Sequence, residues 1–262
     1  MKVSHELPIE LLHYSYQWND YDYCLPHLID KYDRYRLYFQ KARLDQRFII
    51  MDNGLFEGVK HTTEDLFDKI WLVKPNVFIV PDEWNDSNAT LRNAKHWMLN
   101  YKDKLPETTN LMAVCQGKNM GELISTYQTL VDMGYKHIAF NHSSIAYTDK
   151  YPNHKPLLAQ MLGRIELIRM LLEKDTARKN VYHHLLGCSL PQEMMAYSEF
   201  EWINSVDTSN PIIVGSEGTR YGDNGIEHKP KTKIEELFEI DLKDKIEDII
   251  FNINKFKSYV RK

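Results

Sequence analysis

Short apolar runs alternate along this chain with longer segments whose apolar residues recur every three or four positions. The runs are 11–16 (LLHYSY), 47–51 (RFIIM), 77–81 (VFIVP), 111–115 (LMAVC), 137–141 (HIAFN), 183–187 (HHLLG), 204–207 (NSVD) and 211–215 (PIIVG). Each has the length and composition of a strand. Helical spacing covers 26–44, 62–73, 86–103, 119–133, 156–175 and 190–203. In 119–133, Leu123, Tyr127, Leu130 and Val131 share a flank and Gly134 follows as a stop. In 156–175 the apolar spacing persists through Gly163, whose cost of about 1 kcal/mol does not defeat it. Strand–helix alternation around eight strand candidates predicts an α/β fold, a TIM-type (β/α)8 barrel, rather than a helical bundle. The run 215–233 contains glycines and has no period, so it is expected to be a loop after the last strand. Helical spacing returns over 234–260, a C-terminal extension whose Phe and Ile residues could close the barrel or make a homodimer contact. No repeat or linker divides the chain, which predicts a single domain over 1–262.

Composition narrows the function classes. With 262 residues and 43% hydrophobic content the chain can bury one substantial core, and its 16 Tyr and 5 Trp suit pocket walls as well as interiors. A formal charge of -4, from 33 basic and 37 acidic residues, excludes a global electrostatic pull on nucleic acid, though a local basic strip remains compatible with it. Cys24, Cys115 and Cys188 have neither the spacing of a zinc site nor an even count for disulfides, so they read as free thiols in a reducing compartment. No segment reaches the roughly 20 apolar residues of a membrane span, and the N-terminus lacks a signal-peptide core. The expectation is a cytoplasmic protein with no membrane partner.

The candidate strands end in polar residues. IIMDNG supplies Asp52, IVPDEW supplies Asp82 and Glu83, AVCQG supplies Gln116, IAFNHS supplies Asn141 and His142, and NSVDTS supplies Asp207. Barrel active sites collect at the C-terminal strand ends, so these side chains are expected to share one mouth.

In order and wording these segments resemble the queuine/archaeosine tRNA-guanine transglycosylase family, including phage and bacterial relatives that place 7-deazaguanines in DNA. FIIMDNGLFEG is similar to that family's strand, aspartate, glycines and phenylalanine, and VFIVPDE to its second acidic strand end. LMAVCQG is similar to its VQG element, VYHHLLGCSLPQEM to its strand and glycine turn, and SVDTSNP to its later aspartate strand. The resemblance spans roughly 47–211. It implies that Asp207 attacks the sugar carbon, that Asp52 handles a proton of the exchanging base, and that Phe56 stacks on that base. It further implies that Asp82 and Gln116 read the purine edge and that Leu186 forms an apolar wall at the Gly187 turn; the strand-end pattern adds Asn141 and His142 to the substrate-binding set. Residue chemistry agrees with these roles. A carboxylate can capture the anomeric carbon while a second carboxyl of near-neutral pKa serves the leaving base, and no metal or other cofactor is needed.

The chain departs from the family pattern at Asn53-Gly54-Leu55, where paired glycines are expected, and at Phe140 to Ser144, where a glycine-rich turn is expected. It also has no zinc-binding cysteine cluster and no appended RNA-binding domain. The implied partners are a 7-deazaguanine-type base and a polynucleotide, DNA ahead of tRNA. Plainer readings stand beside these. The aspartates could be turn or cap residues, Phe56 and Leu186 core filling, and His183 and His184 packing around a strand. Arg164, Arg169, Lys174, Arg178 and Lys179 read as a solvated helix face or a phosphate contact, with Arg220, Lys229, Lys231 and Lys233 as a second basic patch. Two other functions fit the same residues: a nucleoside or nucleotide glycosidase or glycosyltransferase, and a non-catalytic nucleic-acid-binding or assembly protein.

Overall fold

The computed structural model describes residues 1–173 and 180–260; the end of the segment expected to be helical to 175, with Lys174, Arg178 and Lys179, lies outside the described residues. Eight parallel strands run β1 (Lys2–His5), β2 (Asp22–Cys24), β3 (Ile49–Met51), β4 (Val77–Ile79), β5 (Asn110–Cys115), β6 (His137–Asn141), β7 (Tyr182–Leu186) and β8 (Ile203–Thr208). They are hydrogen-bonded in the order β1-β8-β7-β6-β5-β4-β3-β2. Together with the surrounding helices they form a TIM-type (β/α)8 barrel with a C-terminal helix. Strands β3, β4 and most of β5 are apolar and buried on both faces, as expected of parallel strands covered by helices.

Ten α-helices accompany the strands among the described residues: α1 (Ser15–Trp18), α2 (Pro26–Lys31), α3 (Asp33–Leu44), α4 (Thr63–Val73), α5 (Ser87–Asn100), α6 (Met120–Asp132), α7 (Ile145–Lys150), α8 (Pro156–Glu173), α9 (Asn210–Ser216) and α10 (Ile246–Val260). Side chains cap the starts of α4, α5 and α6: Thr62 accepts from Asp65 N at 3.1 Å, Asp86 from Ala89 N at 2.9 Å and Asn119 from Glu122 N at 2.9 Å. Gly134 ends the α6 segment with φ +91°. Gly163 persists in α8 because a Cβ there would lie 2.2 Å from Tyr147 Cβ, so the helix gives up propensity for a close approach to α7. Among the described residues no helix is long and apolar enough to cross a membrane.

Two strand expectations are corrected. Residues 11–16 lie in a 3-10 turn (Ile9–Tyr14) that runs into α1. Residues 11, 12, 15 and 18 are the buried ones, a helical period, and Tyr14 stacks on Trp18 one turn later with centroids 4.4 Å apart. Residues 211–215 lie within α9, with Pro211 in its first turn. Every residue from 210 to 215 is buried, and a wholly buried apolar run carries no period to separate helix from strand. The strands that complete the barrel are the short β1 and β2. No ladder joins them; Asn19 and Asp20 bridge the seam with side chains. Asn19 Oδ1 accepts from His5 N at 2.8 Å, and Asp20 Oδ2 accepts from Val3 N at 2.9 Å. Asp22, buried in β2, accepts from Ser15, Tyr38 and Arg47.

The segment 234–260 packs on the barrel as expected, through 3-10 turns at Ile234–Leu237 and Lys243–Lys245 and then α10. Helix α10 lies so close to α9 that a Cβ on Gly215 would meet Ile249 Cα at 2.6 Å. Its Phe256 ring meets His5 edge-on at 5.7 Å, covering the outside of β1.

Candidate active site

All five strand-end residues, Asp52, Asp82, Gln116, Asn141 and Asp207, follow or end their strands at the C-terminal side of the barrel, and all five are buried. Four belong to one hydrogen-bonded chain. Asp82 Oδ2 accepts from Gln116 Nε2 at 2.7 Å, and Gln116 Oε1 accepts from Asn141 Nδ2 at 3.1 Å. Asp82 Oδ1 accepts from Asn53 Nδ2 at 2.8 Å, and Asn53 N donates to Asp52 Oδ1 at 2.8 Å. Asn53, where the resembled family has glycine, therefore ties the Asp52 turn to Asp82. Each Asp82 oxygen keeps a lone pair and Gln116 keeps an N–H, so the row still offers acceptors and a donor to a planar heterocycle.

Asp207 is held separately. His184 Nε2 lies 2.9 Å from its Oδ1, and Gly187 N donates to the same oxygen at 3.1 Å. The other nitrogen of His184, Nδ1, lies 2.8 Å from Ser205 Oγ. In a neutral ring the nitrogen facing the Asp207 oxygen donates, which leaves Nδ1 to accept from Ser205. No described hydrogen bond engages Asp207 Oδ2. Tyr23 lies nearly parallel to His184, 23° off at 6.1 Å between centroids; since β2 and β7 are not adjacent strands, that contact crosses the barrel interior. His183, on the other face of β7, packs outward on Tyr127 and Trp202, as the plain reading of the histidine pair expects.

Gly187 has φ +70°, and a Cβ there would come within 2.7 Å of His142 Nδ1, so only glycine aims this N–H at Asp207 without displacing the histidine. The carbonyls around that turn are braced by Arg164, which donates to Phe140 O at 3.3 Å, Leu186 O at 3.1 Å and Gly187 O at 2.8 Å while pairing with Glu193 at 2.7 Å. Arg164 is fully buried, which corrects the solvated-face reading for this residue. Arg169 remains exposed and pairs with Glu166, and Arg220 pairs with Asp248 at the surface.

Burial dominates the electrostatics of the mouth. It raises the Asp52 carboxyl to about 7, with Asp207 and Asp82 adding repulsion against the Asn53 N–H, and raises Asp82 to about 6 against the Gln116 and Asn53 hydrogen bonds. Two acids that sequence reasoning passed over join them. Glu57 is raised to about 8 by burial and then by Asp52, and Glu6, just beyond β1, is raised well above its usual value by burial and then by Asp207. Lys229, half-buried, turns from the 215–233 loop toward Glu6; burial lowers its pKa against the attraction of that acid. His142 is pushed down to about 3 by burial and then by Arg164 and Lys229, so at neutral pH it offers a lone pair or an N–H but no charge.

These shifts carry a sign. A carboxyl whose folded pKa exceeds its unfolded one favours folding while protonated; its contribution is full below about pH 4 and is lost as pH climbs through the values near 6, 7 and 8 of Asp82, Asp52 and Glu57. The urea midpoint is expected to fall between about pH 5 and about pH 8, and to fall less steeply in Asp52→Asn. Equal slopes in the two proteins would show that Asp52 is not held protonated by the fold.

Phe56 stands on the rim, 62% exposed, which corrects the core-filling alternative; its ring lies 5.2 Å from His142 and 6.4 Å from Trp84. Leu186 is half-buried at the end of β7. Of the residues sequence reasoning missed, His184 was accessible from alternation along β7, which sends His183 and His184 to opposite faces. Glu6 was hidden because β1 was not recognised, and no local pattern marks Arg164 as buried. No family model and no curated protein matches this chain.

Proposed function

We propose that this barrel exchanges a purine-like base, a 7-deazaguanine for guanine, at the glycosidic carbon of a polynucleotide, DNA ahead of tRNA. The observation that carries this reading is the pairing of Asp207 with Asp52. One oxygen of Asp207 is held by two donors while no hydrogen bond among the described residues engages the other, and burial brings the Asp52 carboxyl to about 7. In the first half-reaction Asp207 Oδ2 bonds to the anomeric carbon as the carbon–nitrogen bond breaks, and the departing base takes the electron pair together with a proton from Asp52. In the second, the incoming base gives its ring N–H proton to Asp52, its nitrogen bonds to the same carbon, and Asp207 is released. Asp82 and Gln116 hold the edge of the base during both steps. The preference for DNA rests on the absence of a zinc-binding cysteine cluster: Cys24, Cys115 and Cys188 are separate buried thiols.

One observation favours a second reading, a glycosidase or glycosyltransferase acting on a free nucleoside. Glu6, Glu57, Asp52 and Asp207 repel one another across the mouth, with the half-buried Lys229 attracted to Glu6, and that setting suits a neutral nucleoside better than a phosphate chain. Incubation with labelled 7-deazaguanine and guanine-containing DNA, tRNA or guanosine separates the readings. Label is expected in DNA. Release of guanine from guanosine with no polymer product would establish the second reading, and no label in either polymer from protein that binds the free base would exclude base exchange.

A further inference from the structure

Trp84 is 39% exposed and follows Asp82 by two residues, yet the turn that carries it is among the most firmly held parts of the mouth. Asn85 has φ +55°, a left-handed turn geometry that asparagine adopts more readily than most residues, and its surroundings fasten it there. Those surroundings are explicit. Asn85 N donates to Gln116 Oε1 at 3.1 Å, and Asn85 Oδ1 accepts from Ile145 N at 2.9 Å and from Ser144 Oγ at 3.1 Å. On the other side Glu83 N donates to Thr90 Oγ1 at 3.0 Å, and Asp86 N to Glu83 O at 3.1 Å. A turn fastened at both ends thus holds a large aromatic ring with 39% of its surface open to solvent. Trp71, 45% exposed, is different: it lies on the outer helix α4 and its indole N–H is tied to Lys104 O at 3.2 Å. No described hydrogen bond engages the Trp84 indole.

The rings are arranged in sequence. Phe56, 62% exposed on the rim, has His142 at 5.2 Å and Trp84 at 6.4 Å, and Asn85, the residue after Trp84, donates to Gln116 Oε1, so the indole neighbours both the rim ring and the row that would receive a base. We infer that Trp84 is a stacking platform for an unpaired nucleobase adjoining the one in the mouth, so that the protein takes its polynucleotide as a single strand. This rests on the proposed action on a polynucleotide. An indole face binds any base that exposes its own face, independent of sequence, whereas a base within a duplex already has both faces covered. Phe56 and Trp84, 6.4 Å apart on the rim, both present ring faces, a chemistry that matches the flat face of a nucleobase.

Anisotropy titrations of a short fluorescein-labelled, guanine-containing single strand against wild type, Trp84→Ala and Trp84→Phe test this, with urea midpoints confirming that both variants fold. Trp84→Ala is expected to weaken the single strand about tenfold and Trp84→Phe no more than about threefold, with affinity for free guanine unchanged in both. Wild type is expected to bind the matching duplex less tightly than the single strand. Equal oligonucleotide affinity in wild type and Trp84→Ala, or no single-strand binding by wild type, would overturn the inference. So would an equal loss of free guanine binding in Trp84→Ala, which would put the indole over the exchanging base instead. A Trp84-dependent single-strand affinity without labelled base entering any polymer would leave the platform standing and remove base exchange. Labelling of DNA that Trp84→Ala matches in rate and affinity would do the reverse.

Discussion

Asp207→Asn is expected to lower base exchange by at least about a thousandfold and to abolish any protein–polynucleotide adduct that survives denaturation, while leaving free-base binding close to wild type. The geometry makes this substitution informative. The two donors on Asp207, His184 Nε2 at 2.9 Å and Gly187 N at 3.1 Å, both meet Oδ1. An asparagine can place its amide oxygen there and keep both bonds, which sets its NH2 group where Oδ2 stands. The side chain then occupies the same space in the same orientation but presents a group that cannot form a stable ester with the sugar. Asp52→Asn gives a different pattern. It removes the proton carrier and leaves the nucleophile, so an adduct accumulates wherever the outgoing base departs unaided, and turnover falls because the incoming base has no acceptor for its proton. Denaturing electrophoresis with labelled polynucleotide, followed by mass analysis of the modified residue, reads both outcomes. An adduct on Asp52, or full turnover by Asp207→Asn, would refute this division of roles.

The sequence was legible wherever a short apolar strand stands between two amphipathic helices, as at 77–81 or 137–141, because burial on both faces leaves an uninterrupted apolar run and the flanking helices leave a 3.6-residue period. It misled where those signals overlap. Residues 11–16 contain Leu11 and Leu12 side by side, which fits a strand edge as well as a helix stripe, and only the burial of Ser15 and Trp18 settles the period. Residues 211–215 are apolar and wholly buried within a helix, so they present no polar face to reveal it. The strand Asp22–Cys24 begins with an aspartate whose three partners come from 15, 38 and 47, contacts that no local window contains.

The site divides in the same way. Side chains at the ends of recognised strands, such as Asp52, Asp82 and Gln116, could be brought to one mouth by fold logic alone. Residues that act by holding others could not. Asn53 looks like a lost glycine until its amide is seen to join two aspartates, and Glu6 has no meaning before the first strand is known. Arg164 occupies a helix whose neighbouring charges point to solvent, and its burial depends on Glu193 and on carbonyls twenty or more residues away.

Arg164 is also where a single substitution is expected to cost most in stability. Its guanidinium is fully buried, with Nε 2.7 Å and Nη2 3.0 Å from the two oxygens of Glu193 and the remaining N–H groups on the carbonyls of Phe140, Leu186 and Gly187. Arg164→Met keeps much of the volume but strands the Glu193 carboxyl, whose other partner is Tyr197 OH at 2.6 Å, and leaves three strand-end carbonyls without this donor. Removing one member of a buried pair costs about 3–5 kcal/mol, whereas replacing both with apolar groups of similar size often restores most of it. Arg164→Met is therefore expected to lose about 3–5 kcal/mol in urea unfolding, and the double variant Arg164→Met, Glu193→Leu to recover at least about half of that. The effect extends to the mouth. Arg164 fixes the carbonyl of Gly187, the residue whose N–H holds Asp207, so the double variant, though refolded, is expected to remain slow in adduct formation. A loss below about 1 kcal/mol in the single variant would mean that the pair is not a structural brace. A double variant that regains stability and full adduct formation together would mean that the Gly187 turn keeps its geometry without it.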